Sequence, residues 1–115
     1  MRVFAVLIAI AVSGCSTSIP LALAPDATAH VKILGNPGRE CVIEPSDDAH
    51  RELQAWLAKN QTGWSQLYNT PPSGGILLTA PGLRLHLSGN AAYATVPEGM
   101  LTRQVSESEY AFLVC

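Results

Sequence analysis

No cluster of lysine and arginine exists in this chain; seven basic residues are scattered among nine acidic ones, for a net charge of −2. A surface that displaces counterions from nucleic acid needs several cations together, so a nucleic-acid partner is disfavoured, as is attachment to anionic lipid through a polybasic patch. Metal-ligand spacing is also missing. His30, His50 and His86 lie far apart, with none of the close pairs common in zinc sites, so neither a metal nor a cofactor is expected. His50 with Asp47 reads as a solvated pair at a helix start. Asp47 and Asp48 are adjacent and face apart on a helix, which suits helix-start charge better than paired acid–base work. No serine stands in a nucleophile elbow, so no catalytic set assembles and the chain reads as a non-enzyme. Long apolar runs are absent too. The run from Val3 to Val12 makes about 15 Å of helix, half of a hydrocarbon core of about 30 Å, and does not form a stable span.

What is present at the start is an export signal. Met1-Arg2 supply a minimal positive region, the apolar run follows, and Val12-Ser13-Gly14-Cys15 places two small residues before a cysteine. This tetrapeptide resembles the lipobox of bacterial lipoproteins. The resemblance implies that residues 1–14 are a signal peptide, and that Cys15 is diacylated on sulfur, becomes the first residue after cleavage, and is then usually acylated on its new amine. Two or three acyl chains anchor a protein stably where one is marginal. Ser16 and Thr17, with no aspartate beside the cysteine, imply by the same resemblance the periplasmic leaflet of the outer membrane; the inner membrane is the alternative. Ala22-Leu23-Ala24 also has the form of a secretory cleavage site, which keeps plain secretion open, although Pro25 directly after it is unfavourable for that peptidase.

Removing residues 1–14 from 115 leaves 101, enough for one domain with a thin core. With Cys15 assigned to lipid, Cys41 and Cys115 are an even pair in an oxidising compartment and are expected to form a disulfide. It would close a loop of about 75 residues, worth roughly 4–5 kcal/mol in the chain-entropy view. Residues 15–29, with small residues, two prolines and no periodicity, read as the lipidated N-terminus and a flexible tether, and residues 30–115 as one small domain.

The domain pattern is α+β: a mainly antiparallel sheet of about five or six strands with one packed helix. Val31–Leu34 and Arg39–Ile43 flank the turn Gly35-Asn36-Pro37-Gly38. A helix starts at Pro45-Ser46-Asp47-Asp48, with Ser46 as cap, and ends at Asn60 to Gly63; Ala49, Leu53, Trp56 and Leu57 form its apolar stripe. Trp64–Thr70 and Gly75–Thr79 read as strands. Leu83 to Leu87 alternates strictly, and a Gly89-Asn90 turn sets Ser88 opposite Ala91 and His86 opposite Tyr93. Tyr110 to Cys115, apolar on both faces, is expected as an interior strand beside the one holding Cys41.

That register places Arg84, His86, Tyr93 and Thr95 on the polar face of the hairpin, the first candidate surface for a partner. Trp64 and Tyr68, beside the Pro71–Gly75 loop, are the second, since Trp and Tyr are enriched at binding hot spots. The expected function is that of a lipid-anchored, periplasm-facing protein-binding module of inhibitor, immunity or accessory type, with an envelope protein as partner. The alternative is a structural or assembly lipoprotein of an outer-membrane or secretion complex.

Overall fold

The computed structural model describes residues 17–67, 69–97 and 99–115. The signal peptide, Cys15 and Tyr68 lie outside the described residues. The fold is α+β. Seven strands are present among the described residues: β1 (Ala29–Leu34), β2 (Arg39–Ile43), β3 (Ser65–Gln66), β4 (Gly75–Ala80), β5 (Leu83–Ser88), β6 (Ala91–Val96) and β7 (Gly99–Gln104). They form one antiparallel sheet in the order β2-β1-β4-β5-β6-β7-β3.

Alternation decides which face is buried. Leu83, Leu85 and Leu87 of β5 point into the core, opposite Ala92 and Ala94 of β6. The β5–β6 register pairs Ser88 with Ala91, Leu87 with Ala92, His86 with Tyr93 and Leu85 with Ala94, as turn chemistry predicts. Gly89 has φ +57°, and no described non-glycine residue has positive φ. Positive φ at the first central residue alone defines a type II′ turn, whose twist matches that of the flanking strands.

The helix α1 (Asp48–Lys59) crosses the core-facing side, joining β2 at one edge of the sheet to β3 at the other. It buries Leu53, Trp56 and Leu57, each worth roughly 1.5–3 kcal/mol when fully removed from water. Its N-cap is Asp47 rather than Ser46, and the Asp47 carboxylate accepts the Glu44 N–H at 2.8 Å. His50 is not a solvated partner of Asp47. It is 2% exposed, with Nε2 2.8 Å from the Ala27 carbonyl oxygen.

That contact belongs to the largest departure from expectation. From Thr17 on, the segment read as a tether is packed against the domain. Ile19, Leu21 and Leu23 are buried, while Pro20, Ala22 and Ala24 between them are exposed. Thr17 and Trp64 exchange backbone hydrogen bonds at 2.7 and 3.1 Å. The helix side then supplies partners for the strap carbonyls: Gln61 Nε2–H donates to Leu21 O at 2.8 Å, Gln54 Nε2–H to Leu23 O at 3.1 Å, and His50 meets Ala27 O. His50, Gln54 and Gln61 are spaced four and seven apart, one side of a helix and its extension. A short apolar strand-like strap thus closes the core where the single helix leaves it open.

The far end is closed by the C-terminus, which is not an interior strand. Glu107–Tyr110 is a 3-10 turn and the following residues are irregular. The strand that holds Cys41, β2, is the edge of the sheet and pairs only with β1 among the described residues, so a ladder position exists beside it that the tail does not take. Instead Val105 N–H donates to Asn90 O at 2.9 Å, and Tyr110 O–H donates to Gly89 O at 2.6 Å. The Cys41–Cys115 disulfide fastens the last residue to β2 across a sequence separation of 74.

Candidate partner-binding face

The helix, the strap and the C-terminal segment all lie against the face carrying Val31, Leu78 and Leu85; among the described residues the opposite face carries no helix or strap, and the Gly74 loop reaches it at His86. Register places on that open face a row running across all seven strands: Glu40, Lys32, Leu77, His86, Tyr93, Thr102 and Ser65. A second row one pleat away runs Val42, His30, Thr79, Arg84, Thr95 and Met100. Side chains two apart along a strand share a face, so the rows lie side by side.

Arg84, His86, Tyr93 and Thr95 are therefore brought together as the hairpin register requires. Arg84 and Thr95 are exposed; His86 and Tyr93 are half-buried. The His86 and Tyr93 rings lie with centroids 5.6 Å apart and planes at 43°, a tilted cross-strand pair. His86 Nε2 is 2.6 Å from Gly74 O, so that nitrogen carries the proton and donates. Gly75, next in sequence, has φ +104°, and a Cβ there would collide with the Leu87 carbonyl and Ser88. The loop before β4 is thus seated tightly on β5, which fixes the carbonyl that holds His86. Thr102 Oγ1–H donates to Ala92 O at 3.2 Å and completes the central row.

Trp64 does not belong to any partner surface. It is 0% exposed, and its indole N–H donates to Asn60 O at 2.7 Å. Asn60, itself buried, donates from Nδ2 to Trp56 O at 2.8 Å, so the helix end and Trp64 form one closed polar unit in the core. Leu77, Lys32, Glu40, Thr102 and Met100 share the open face but escaped the sequence reading. Their placement follows from the β1–β4 and β6–β7 pairings, which join strands through long loops or a turn whose register the sequence does not announce. A shallow hollow of about 270 Å³ lies at the β2–β1–β4 end, lined by His30, Lys32, Glu40 and Leu77 among others.

Among the described residues no three His, Cys, Asp or Glu side chains approach closely enough to hold a metal ion, and no helix is long and apolar enough to cross a membrane. Compared with known proteins, the chain matches no family model, no curated protein and no solved structure.

Proposed function

We propose that this protein is a lipid-anchored, periplasm-facing binding module that holds an envelope protein against the open face of its sheet. The lipobox-like Val12-Ser13-Gly14-Cys15 supports the anchor, and the residues after Cys15 support the outer-membrane leaflet. The observation that carries the binding role is the asymmetry of the sheet: one face is sealed by three separate segments, and the other, among the described residues, has no covering helix or strap and an aromatic and polar row at its centre. An uncovered face with Tyr, His and Arg side chains on a rigid scaffold has the composition of an interface core and rim. The role is non-enzymatic in this reading. His50 is committed to the strap and His86 to Gly74, so neither ring presents a free acid–base pair with a carboxylate.

The test is photo-crosslinking in intact cells, with the crosslinking residue at His86 and a control at Glu52, which is exposed on the helix side. A discrete adduct from position 86 and none from position 52 is the expected result. Equal labelling from both positions, or none from 86, rejects the open face as the binding surface. An assembly lipoprotein would differ in one respect: its activity would be lost in Cys15→Ser, whereas a binding module of inhibitor type would still bind as a soluble domain.

A further inference from the structure

A second cavity borders the open face at Arg84, Thr95 and Met100 and runs from there under the strap. It is a cleft of about 570 Å³ between the N-terminal strap and the end of the sheet where β5 and β7 begin and β6 finishes. Its apolar walls come from Ile19 and Leu21 of the strap and from Leu83, Val96, Met100 and Leu101 of the sheet. The volume lies within the roughly 300–1,000 Å³ typical of small-molecule sites; the apolar walls suit a hydrocarbon, and Ser18, Gln66, Arg84 and Thr95 line the rest of the cleft. Thr17 also lines the cleft, and its paired backbone bonds to Trp64 fix where the chain enters.

We propose that this cleft seats one acyl chain carried on Cys15, so that the lipid anchor is partly folded into the protein's own core. The proposal rests on the lipidation reading above. Cys15 is two positions before Thr17, a reach of at most roughly 7 Å, so a chain on its sulfur or amine is tethered within that distance of the cleft lining. Being covalently attached, it enters at a high effective concentration, without the translational cost a free lipid bears. Against water each methylene held in the cleft is worth about fourfold, whereas against the bilayer, which shelters it equally, packing and the short tether decide the seat. The remaining chains would still hold the membrane, since two suffice for stable anchoring.

The experiment uses the full chain matured in a bacterial host, with intact mass recording its acylation, placed in bicelles of deuterated phosphatidylcholine so that the only protonated acyl chains are those on Cys15. Isotope-filtered NOEs from the methyl groups of Leu83, Val96 and Leu101 to acyl methylenes are the expected result. An acylated protein without those NOEs overturns the seated chain and leaves the anchor standing; an unacylated Cys15 overturns both. Cys15→Ser in protonated bicelles is expected to show no such NOEs, and their appearance would assign the cleft to free phospholipid instead. Filling the cleft with Val96→Trp, or with Met100→Trp should the first not fold, is expected to abolish the NOEs. Filling should also slow transfer between vesicles at least tenfold, because sheltering two methylenes on the way out is worth that much. An unchanged transfer rate counts against the proposal.

Discussion

The two faces of this sheet are made from the same strands, alternating residue by residue, yet they have opposite fates. On one, Leu78, Leu85, Leu87 and Ala94 are at most 1% exposed beneath a helix, a strap and a disulfide-tied tail. On the other, His86 and Tyr93 are half-buried, their rings paired and the Gly74 carbonyl against His86, and Arg84 and Thr95 are exposed. A domain this small needs three covering segments to seal a single face, because one 12-residue helix is about 18 Å long and the seven strands span roughly 30 Å. What remains bare is then a surface held rigid by everything packed behind it. The comparison makes a sharp demand: changes on the sealed face should cost stability, and changes on the bare face should cost binding.

The sealed face breaks hardest at its centre. Leu85 is 0% exposed and faces Leu78 and Ala94 in neighbouring strands, so Leu85→Ala is expected to destabilise by about 4 kcal/mol, as transfer and cavity costs add. Denaturant unfolding measures it, and a loss below about 1 kcal/mol would mean the core is not where the fold places it. The tail comes next. Cys115→Ser opens the loop closed across 74 positions and frees Leu113 and Tyr110 to lift away, with an expected loss of about 3 kcal/mol. Hydrogen exchange should rise first at Val105 N–H and in the Gly89-Asn90 turn, to which the tail is bonded.

The strap gives the third and most diagnostic test, because its sequence looked like a linker. His50→Ala removes the partner of Ala27 O and leaves a space in a 2%-exposed position, for an expected cost of about 2 kcal/mol. A true tether would make that substitution neutral. The alternation that betrays the strap was present all along: Ile19, Leu21 and Leu23 separated by Pro20, Ala22 and Ala24 is a period of two. Two prolines and small residues masked it, since composition argues for a linker while position by position the pattern argues for a half-buried strand. The hairpin was legible for the converse reason, because turn type, alternation and large-to-small pairing across β5 and β6 all agreed. The long-range pairings of β1 with β4 and of β3 with β7 were not legible, as nothing local encodes which strands meet across the helix or a loop. Tyr110 to Cys115 misled by being apolar without being a strand; Tyr110 and Leu113 are buried closing an end of the core, and the backbone turns on itself, Leu113 N–H to Tyr110 O and Val114 N–H to Phe112 O, instead of joining the free edge of β2. The candidate face was half legible. Its hairpin quartet follows from register alone, whereas Trp64 was assigned by residue type, and an indole that serves the core carries the same letter as one that serves an interface.

Smaller still is the effect at Tyr110. Its hydroxyl donates to Gly89 O, so Tyr110→Phe should cost about 1 kcal/mol at neutral pH. Burial, and then the charge of Glu107, raise its pKa above the ordinary 10.0. The folded state therefore disfavours the phenolate more than the unfolded chain does. The resulting stability is fully present below pH 10.0 and is lost as pH rises through the folded pKa. Stability against pH, measured for both proteins, should show the wild type falling more steeply on the alkaline side and the two curves converging there. Parallel curves would mean that the phenol ionises as freely folded as unfolded.

The bare face supplies the smallest expected stability change and the most selective one. Tyr93→Ala removes a tilted ring pair with His86 but opens no sealed cavity, so the cost should be about 0.5 kcal/mol, the scale of one cross-strand pair. If the open face binds a protein, the same substitution should weaken the complex by at least tenfold, since truncating a central aromatic commonly costs more than 1.4 kcal/mol of binding. Crosslinking yield from position 86 across a partner titration reads the binding, and denaturant unfolding reads the stability. A loss of several kcal/mol in unfolding would show that the ring pair helps to hold the sheet, and the distinction between a sealed and a bare face would fail at its centre. Unchanged stability with unchanged binding would leave the distinction between faces intact and move the partner away from the hairpin, towards the hollow beside Lys32 and Glu40.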